Sequence, residues 1–205
     1  GDQFVTGVAY RDADRDAFYS IGEGQGGISF STGGSQESTA PSGGYSLNVG
    51  GLAEVRLTVG QGVVTYAVLD VDLSAGNAKV DLVTAADGAR YLALISGVVD
   101  ARLLGRGDLM LQGTDDRNVL TGNSGDNRIY GEGAGDTIYG GSGDDYLSGG
   151  TGWDTIYGGG GADKIWGGDQ NDILKGGKGS DQLSGGNGVD RLSGQDGDDF
   201  IWTSV

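Results

Sequence analysis

The sequence of 205 residues predicts an all-β protein whose C-terminal half is a repetitive, coiled structure. Residues 113–202 repeat a nine-residue unit, Gly-Gly-x-Gly-x-Asp-x-(Leu/Ile)-x, ten times without insertion or deletion. Before them, short apolar runs alternate with turns rich in Gly, Asn and Asp, which is typical of strands. No segment has the 3.6-residue period of a helix. A fixed period of nine is typical of quasi-one-dimensional folds such as the parallel β-helix.

In the N-terminal half, alternating apolar residues predict seven strands. They are expected at residues 4–10, 27–30, 43–47, 54–59, 63–69, 78–83 and 90–95. Residues 31–42, which contain the only proline of the chain, are expected to form a loop. A further strand is expected at residues 107–112, where it would cover the open end of the repeats.

The repeat is strictest at its eighth and sixth positions. Position eight is always Leu or Ile: Leu120, Ile129, Ile138, Leu147, Ile156, Ile165, Leu174, Leu183, Leu192 and Ile201. Position six is Asn twice and then always Asp: Asn118, Asn127, Asp136, Asp145, Asp154, Asp163, Asp172, Asp181, Asp190 and Asp199. Because side chains alternate along a strand, the position-eight side chain is expected to point inward and its neighbours outward.

The glycines of the unit indicate a metal-binding turn. Gly at positions one, two and four permits a sharp turn in which backbone carbonyl groups converge. Ca²⁺ prefers roughly six to eight oxygen ligands and combines carbonyl groups with carboxylates, which a glycine-rich turn ending in Asp supplies. The alternative for this tract is a flexible Gly/Asp-rich linker. A linker, however, has no reason to keep position eight apolar.

These residues resemble the RTX, or hemolysin-type calcium-binding, nonapeptide repeat. The resemblance implies a parallel β-roll with two units per coil, in which six residues of each unit turn and three form a short strand. It also implies that Ca²⁺ binds between stacked turns, held by the carbonyls of positions two and four and the position-six Asp of one turn. The turn two units later would add the carbonyls of positions one and three and its own Asp. One such site would combine Gly150, Gly152 and Asp154 with Gly167, Asp169 and Asp172.

Ten units leave eight gaps between stacked turns, so the roll is expected to bind up to eight Ca²⁺ ions. The first two units depart from the pattern, because Asn replaces the position-six Asp and Thr114 and Asn123 replace the second Gly. The ligands that the resemblance implies are Asn118, Gly131, Glu132, Gly133, Ala134, Asp136, Gly140, Gly141, Ser142, Gly143, Asp145, Gly149, Gly150, Thr151, Gly152, Asp154, Gly158, Gly159, Gly160, Gly161, Asp163, Gly167, Gly168, Asp169, Gln170, Asp172, Gly176, Gly177, Lys178, Gly179, Asp181, Gly185, Asn187, Asp190, Gly194, Asp196 and Asp199.

A core this thin predicts folding that depends on calcium. Each coil contributes only two apolar side chains, which are few against the entropy lost in ordering eighteen residues. Stacked turns would also place position-six carboxylates about 5 Å apart, where two charges repel by about 3 kcal/mol at an effective dielectric constant near 20. We therefore expect residues 113–202 to be disordered without Ca²⁺ and folded with it.

A second candidate calcium site lies near the N-terminus. Asp12, Asp14, Asp16, Phe18 and Glu23 occupy positions one, three, five, seven and twelve of a loop with EF-hand spacing. The flanking segments predict strands rather than helices, and the later Gly43–Leu47 segment reads as the start of a strand. The stretch resembles carboxypeptidase-regulatory or B-repeat-like extracellular β-sandwich domains, which implies one structural Ca²⁺ here. The alternative is a solvated acidic hairpin.

These observations predict four segments. Residues 1–85 would form a β-sandwich with the acidic loop, 86–112 a linker and cap strand, 113–202 the β-roll and 203–205 a truncated tail. Because the chain starts at Gly1 and stops soon after the last unit, it is expected to be a fragment or processed piece of a longer protein, with a further domain upstream.

Composition excludes several classes of function. The net charge of -16 disfavours nucleic acid as a partner, since phosphates bind basic surfaces. The chain has no His and no Cys, so the commonest general base and any disulfide are missing. No run of apolar residues is long enough to span a membrane. We therefore expect no catalytic residues in this chain.

The expected function is a non-enzymatic, calcium-dependent folding and stabilising module of a secreted bacterial protein. The RTX resemblance implies type I export from a Gram-negative cell and folding outside it, where calcium is abundant. One alternative is the C-terminal module of a secreted protease, lipase or polysaccharide epimerase whose catalytic domain is missing. Another is an adhesin or surface-layer segment that binds carbohydrate or a cell surface through outward aromatic residues. These residues are Tyr130, Tyr139, Tyr157, Trp166 and Trp202.

Overall fold

The computed structural model describes two units, Gly1–Leu104 and Gly105–Val205. The residues described are 4–12, 28–31, 36–38, 44–48, 54–61, 64–72, 78–85, 90–96, 98–103 and 105–202. All of the secondary structure elements among them are β-strands. In the described residues, no helix is long and apolar enough to cross a membrane.

The described residues of the N-terminal unit form nine strands. They are β1 (Phe4–Asp12), β2 (Ile28–Ser31), β3 (Gln36–Ser38), β4 (Gly44–Asn48), β5 (Glu54–Gln61), β6 (Val64–Asp72), β7 (Ala78–Ala85), β8 (Arg90–Ser96) and β9 (Val98–Leu103). Within this unit the strand orders are β4-β1-β7-β8 and β3-β2-β5-β6-β9. The β1–β7 pair is parallel, and the other pairs within the unit are antiparallel.

All seven strands predicted in this half are present, with ends that differ by up to three residues. One prediction about the intervening segments is wrong, because the expected loop at 31–42 contains β3. Within 86–112, β8 is the strand expected at 90–95, the strand that begins at Leu109 lies where the cap strand was expected, and β9 is an additional strand. Strand β3 is the polar sequence Gln-Glu-Ser, which has no apolar alternation and is specified by its antiparallel pairing with β2.

The C-terminal unit is a parallel β-solenoid. Its strands are β10 (Leu109–Thr114), β11 (Val119–Thr121), β12 (Arg128–Glu132), β13 (Thr137–Ser142), β14 (Tyr146–Thr151), β15 (Thr155–Gly160), β16 (Lys164–Asp169), β17 (Ile173–Lys178), β18 (Gln182–Asn187), β19 (Arg191–Asp196) and β20 (Phe200–Trp202). Each strand pairs in parallel with the strand two further along the chain, so Leu120 lies beside Ile138 and Ile129 beside Leu147. The two-unit coil is therefore confirmed.

The strands are longer than the resemblance implied. The expectation of six turning residues and a three-residue strand is wrong, because seven consecutive strands from β13 to β19 have six residues each. Each of these strands begins at position seven and continues through position three of the next unit, as in Thr137–Ser142. The Gly-Gly pair therefore pairs with its neighbours in the ladder, and only positions four to six form the turn.

The interior is a double ladder of Leu and Ile, as predicted. The position-eight residues from Leu120 to Leu183 are all 0 % exposed. Leu111 of β10 is also 0 % exposed and pairs with Ile129, so this strand continues the ladder by one more rung. At the other end of the described residues, Ile201 is 44 % exposed. Each strand thus buries one apolar side chain, so each additional unit adds little hydrophobic stabilisation.

The outward aromatic residues pack on one another across the strands. The rings of Tyr139 and Tyr157 stack with their centroids 5.0 Å apart, and the Lys175 ammonium lies 5.1 Å from the Tyr157 ring. On the other sheet, Tyr146 stacks on Trp166 at 4.8 Å. Such cross-strand pairs stabilise a sheet. These contacts indicate that the outward rings stabilise the two sheets.

Candidate metal centres on the turn edges

The position-six carboxylates lie in two buried stacks, one on each edge of the solenoid. Units are numbered 1 to 10 from residue 113, and the turns of odd and even units form what we call the odd edge and the even edge. On the odd edge, the N–H of Asp136 donates to Oδ1 of Asp154 at 2.7 Å. On the even edge, the N–H of Asp145 donates to Oδ1 of Asp163 at 2.9 Å. Each of these four Asp side chains is at most 1 % exposed. Backbone amides therefore hold one oxygen of each stacked carboxylate in place.

The second carboxylate oxygen has no hydrogen-bond partner. Six Oδ2 atoms are inaccessible to solvent and accept no hydrogen bond: those of Asp136, Asp145, Asp154, Asp163, Asp172 and Asp181. Buried polar atoms are nearly always paired, and a charged oxygen is the costliest kind to leave unpaired. A cation beside each Oδ2 would satisfy all six of these oxygens.

A carbonyl oxygen faces the same space as each unpaired Oδ2. At Gly149, a Cβ atom would meet both Oδ2 of Asp154 and the carbonyl oxygen of Gly167, the latter at 2.6 Å. At Gly158, it would meet Oδ2 of Asp163 and the carbonyl oxygen of Gly176. This arrangement of one carboxylate oxygen and one carbonyl oxygen beside a position-one glycine is called a cradle here. It recurs at Gly131, Gly140, Gly167 and Gly176. Position one must therefore be Gly, because the space beside it holds two convergent oxygens.

Positions two and four adopt the left-handed backbone that Gly favours. Gly150 has φ of 107° and Gly152 has φ of 141°. A Cβ on Gly152 would also overlap the carbonyl of Ala134 in the turn stacked before it. Four non-glycine residues at these positions also have positive φ: Glu132, Ala134, Gln170 and Gln195. This conformation packs the carbonyls of one turn closely against the next.

The remaining predicted ligands lie in the same turns. The position-three carbonyl of Asp169 accepts a hydrogen bond from the N–H of Gly152 at 3.1 Å, and that of Lys178 accepts one from Gly161 at 2.8 Å. A carbonyl oxygen has a second lone pair, so these bonds leave room for a cation. Among the described residues, no three acidic side chains converge on one point. A cation on these edges would therefore take most of its ligands from the backbone, as Ca²⁺ does.

Comparison with known families agrees with this donor set. A family model of the RTX calcium-binding nonapeptide repeat matches residues 112–147, 148–183 and 184–204. Residues 112–204 are RTX calcium-binding repeats. No curated protein and no solved structure matches the chain significantly. The RTX match covers the β-roll and leaves the strands β1 to β9 without an assigned family.

Burial changes the acid–base behaviour of the RTX carboxylates. It raises the pKa of Asp136, Asp145 and Asp172 to about 7 and that of Asp163 to about 6. It also raises the pKa of Asp154 and Asp181. Stacked carboxylates raise most of these pKa values further, and the backbone amide on Oδ1 lowers them. In the absence of a cation, Asp136, Asp145 and Asp172 would be partly protonated near neutral pH.

The first two RTX units are built differently. Oδ1 of Asn118 accepts hydrogen bonds from the N–H and the hydroxyl of Thr114 at 2.9 and 3.2 Å. Oδ1 of Asn127 accepts from the N–H of Asn123 at 2.8 Å, and its Nδ2 donates back to Oδ1 of Asn123 at 3.1 Å. The amide side chains thus hydrogen-bond within their own turns, and neutral groups occupy the place of the carboxylate.

The N-terminal acidic loop is only partly within the described residues. Asp12 is the last residue of β1, whose backbone pairs in parallel with β7. The other predicted ligands, Asp14, Asp16, Phe18 and Glu23, lie outside the described residues. The calcium site proposed there therefore stays a prediction.

The hydrogen bonds of the position-six amides and the residues at position five were not predicted from the repeat. The amide donors could not be identified from residue types, because every residue except proline carries the same N–H. Position five was treated as variable, although on the odd edge it holds Arg117, Trp153 and Val189 in a chain with only three Trp. A bulky aromatic residue in a turn that otherwise favours small or polar residues was the available signal.

Proposed function

We propose that residues 105–202 are a calcium-dependent folding module, in which Ca²⁺ ions link successive coils and so stabilise the roll. The observation that carries this proposal is the set of six buried, unpaired Oδ2 atoms in register along both edges. RTX repeats bind calcium, and the cradle at each position-one glycine offers a hard cation one carboxylate oxygen and one carbonyl oxygen.

Each ion would bridge two stacked turns. We propose that Gly150, Gly152 and Asp154 hold one ion together with ligands from the turn two units later, among them Gly167 and Asp172. The convergence of Asp154 Oδ2 and the Gly167 carbonyl beside Gly149 supports this register. A bound cation would replace the proton that burial favours on each Asp, so calcium binding would release protons near neutral pH.

Calcium-dependent folding suits a protein that is exported before it folds. We propose that the chain is secreted by a type I system, stays unfolded where calcium is scarce and folds outside the cell. The N-terminal unit would form a β-sandwich with one Ca²⁺ in the loop that follows Asp12, which is consistent with the strands β1 to β9. The module would have no catalytic activity of its own and would stabilise or present an upstream domain.

Two adjacent aspartates give a matched test of the calcium sites. Asp145 is 1 % exposed with an unpaired Oδ2, whereas Asp144 is exposed and accepts a hydrogen bond from the N–H of Ala162 at 2.7 Å. Asp145→Asn and Asp144→Asn remove the same charge from neighbouring positions. Isothermal titration with CaCl₂ should show fewer ions bound, or a higher calcium midpoint, for Asp145→Asn only. Equal effects of the two substitutions would contradict the proposed ligand set.

A further inference from the structure

A groove of about 580 Å³ lies along the odd edge and borders the cradles that would hold calcium, because Asp154, Asp172 and Asp190 also line it. It is lined by the position-five residues Trp153, Asn171 and Val189 and by the position-seven residues Thr155, Ile173 and Arg191. Arg117 lines it as well. Its volume lies within the range of roughly 300 to 1,000 Å³ that is usual for ligand sites.

The roll itself does not need these side chains. On the even edge, Oδ1 of Asp126 and of Asp144 at position five, and Oδ1 of Asp108 before the first unit, each accept a hydrogen bond from the amide of the next stacked turn at 2.7 to 2.9 Å. On the odd edge, Asn171 makes the equivalent bond to the N–H of Val189 at 2.8 Å. The two edges have the same backbone, so a Trp, a Val and an Arg at position five are not required by the fold.

The groove combines an exposed aromatic face with positive charge. Trp153 is 67 % exposed and Val189 is 80 % exposed, whereas Trp166 and Trp202 pack against other rings. Exposed Trp is uncommon outside binding surfaces, and its ring presents a flat, electron-rich face to C–H groups. Arg191 is aligned with Ile173 and Thr155 by the strand register. The Arg117 Nε donates to the Gly135 carbonyl at 3.0 Å, which orients its guanidinium group.

The acidic residues of the groove do not cancel this charge at its surface. Asp154 and Asp172 are 1 % exposed, and their Oδ2 atoms lie in the buried cradles. The Oδ2 of Asp190 also lies against a position-one glycine, Gly185. Asp190 is half-buried, so Arg117 and Arg191 are the exposed charged side chains of this groove.

The geometry points to a binding site for an acidic carbohydrate chain. One sugar ring of the chain would stack on Trp153, and carboxylates of the chain would pair with Arg191 and Arg117. Strand spacing of about 4.8 Å places Trp153 and Val189 about 10 Å apart along the edge, which suits an extended chain. The groove offers only two guanidinium groups, so a short oligomer with a few carboxylates fits it better than a nucleic acid, which binds strongly basic surfaces. Binding requires the folded roll and so rests on the proposed calcium function.

Binding of a uronic acid oligomer tests this inference. The probes are trigalacturonate and its methyl ester, titrated into the full chain in excess CaCl₂ so that chelation by the ligand has no effect. Trigalacturonate should bind, and Trp153→Ala should raise its Kd by about tenfold, the loss expected for one stacked ring with its contacts. Arg191→Gln should weaken binding of the acid and leave binding of the ester unchanged.

Tyr139→Ala is the matched control, because Tyr139 is a 41 % exposed aromatic residue on the roll that does not line the groove. It should bind trigalacturonate as the parent chain does. Circular dichroism in CaCl₂ should be the same for all variants, which separates loss of the groove from loss of the calcium-dependent fold. No binding of trigalacturonate at millimolar concentration by a folded parent chain would overturn the inference. Equal or tighter binding of triglutamate would also overturn it and assign the groove to acidic peptides.

Discussion

The turns of units 1 and 2 and the turns of units 3 to 8 share one backbone period but satisfy their buried polar groups differently. In the first two, Asn118 and Asn127 hydrogen-bond within their own turns. In the next six, Asp replaces Asn and one oxygen of every carboxylate stays unpaired. The comparison teaches that a single side-chain atom, NH₂ or O⁻, decides whether a turn completes its hydrogen bonds from the chain or needs a cation.

The backbone differs between the two groups in the same way. Gly at positions two and four of the Asp turns has positive φ, as at Gly150 and Gly152, whereas Thr114 and Asn123 do not. A left-handed residue turns its carbonyl differently from an extended one, so the position-two carbonyls of the Asn turns point differently from those of the Asp turns. The first two gaps of the roll are therefore the least suited to calcium.

The largest effect is expected from filling a cradle. In Gly149→Ala, the new Cβ would overlap Asp154 Oδ2 and the Gly167 carbonyl, and it should destabilise the calcium-loaded roll by more than about 3 kcal/mol. Gly160→Ala is the control, because a Cβ there meets nothing within 4 Å. Urea unfolding at fixed CaCl₂ measures both. A loss in Gly149→Ala no greater than in Gly160→Ala would show that position one has no special role.

The next effect comes from converting an Asn turn into an Asp turn. In Asn127→Asp, a carboxylate oxygen would face Oδ1 of Asn123, which now accepts a hydrogen bond from Nδ2 of Asn127 at 3.1 Å. The variant should lose about 1 to 3 kcal/mol of stability at low calcium and regain it as calcium rises. Thermal unfolding across a calcium titration measures this. Stability that does not depend more steeply on calcium than in the parent chain would contradict the comparison.

The recurrence of Leu or Ile and of Asp every nine positions was sufficient to predict the buried ladder and the row of carboxylates. The two-unit coil that stacks them was implied by the resemblance to the RTX family. Leu120 and Ile138 meet across the sheet simply because two units close a coil. The hydrogen bonds of Asn118 and Asn127 depend on side-chain orientation, which the repeat does not encode. Gly has a low strand propensity, so the extension of the strands through Gly-Gly is determined by pairing between coils.

Acidification is expected to act on the Asp turns and not on the Asn turns. Burial raises the pKa of Asp136, Asp145 and Asp172 to about 7, above the ordinary value of 3.8. The folded roll therefore binds more protons than the unfolded chain between about pH 4 and 7, so its calcium-free stability should rise as the pH falls through this window. In CaCl₂ the trend should reverse, because protons compete with calcium for the same carboxylates. Circular dichroism from pH 7.5 to 4.5, with EGTA or with CaCl₂, measures both trends, and a calcium-free roll that gains no structure on acidification would contradict this assignment.

The smallest effect is expected from relieving backbone strain within the Asp turns. Gln170 is held at φ of 81°, where Gly is less strained, so Gln170→Gly should stabilise the roll by about 0.5 to 1 kcal/mol. Thr151→Gly, at a position without positive φ, should instead destabilise it by a similar amount. Urea unfolding in saturating CaCl₂ measures both. Destabilisation by Gln170→Gly would mean that the side chain, rather than the backbone, determines stability at this position.

The most direct test of the central claim is far-ultraviolet circular dichroism of residues 105–205 during a calcium titration that starts in excess EGTA. The roll should be largely disordered in EGTA and should gain its strand signal cooperatively as free calcium rises, with Mg²⁺ unable to substitute because it dehydrates reluctantly and demands octahedral geometry. An ordered strand spectrum in EGTA at pH 7.5, with the same melting temperature as in CaCl₂, would show that the carboxylate stacks do not need a cation and would contradict the account.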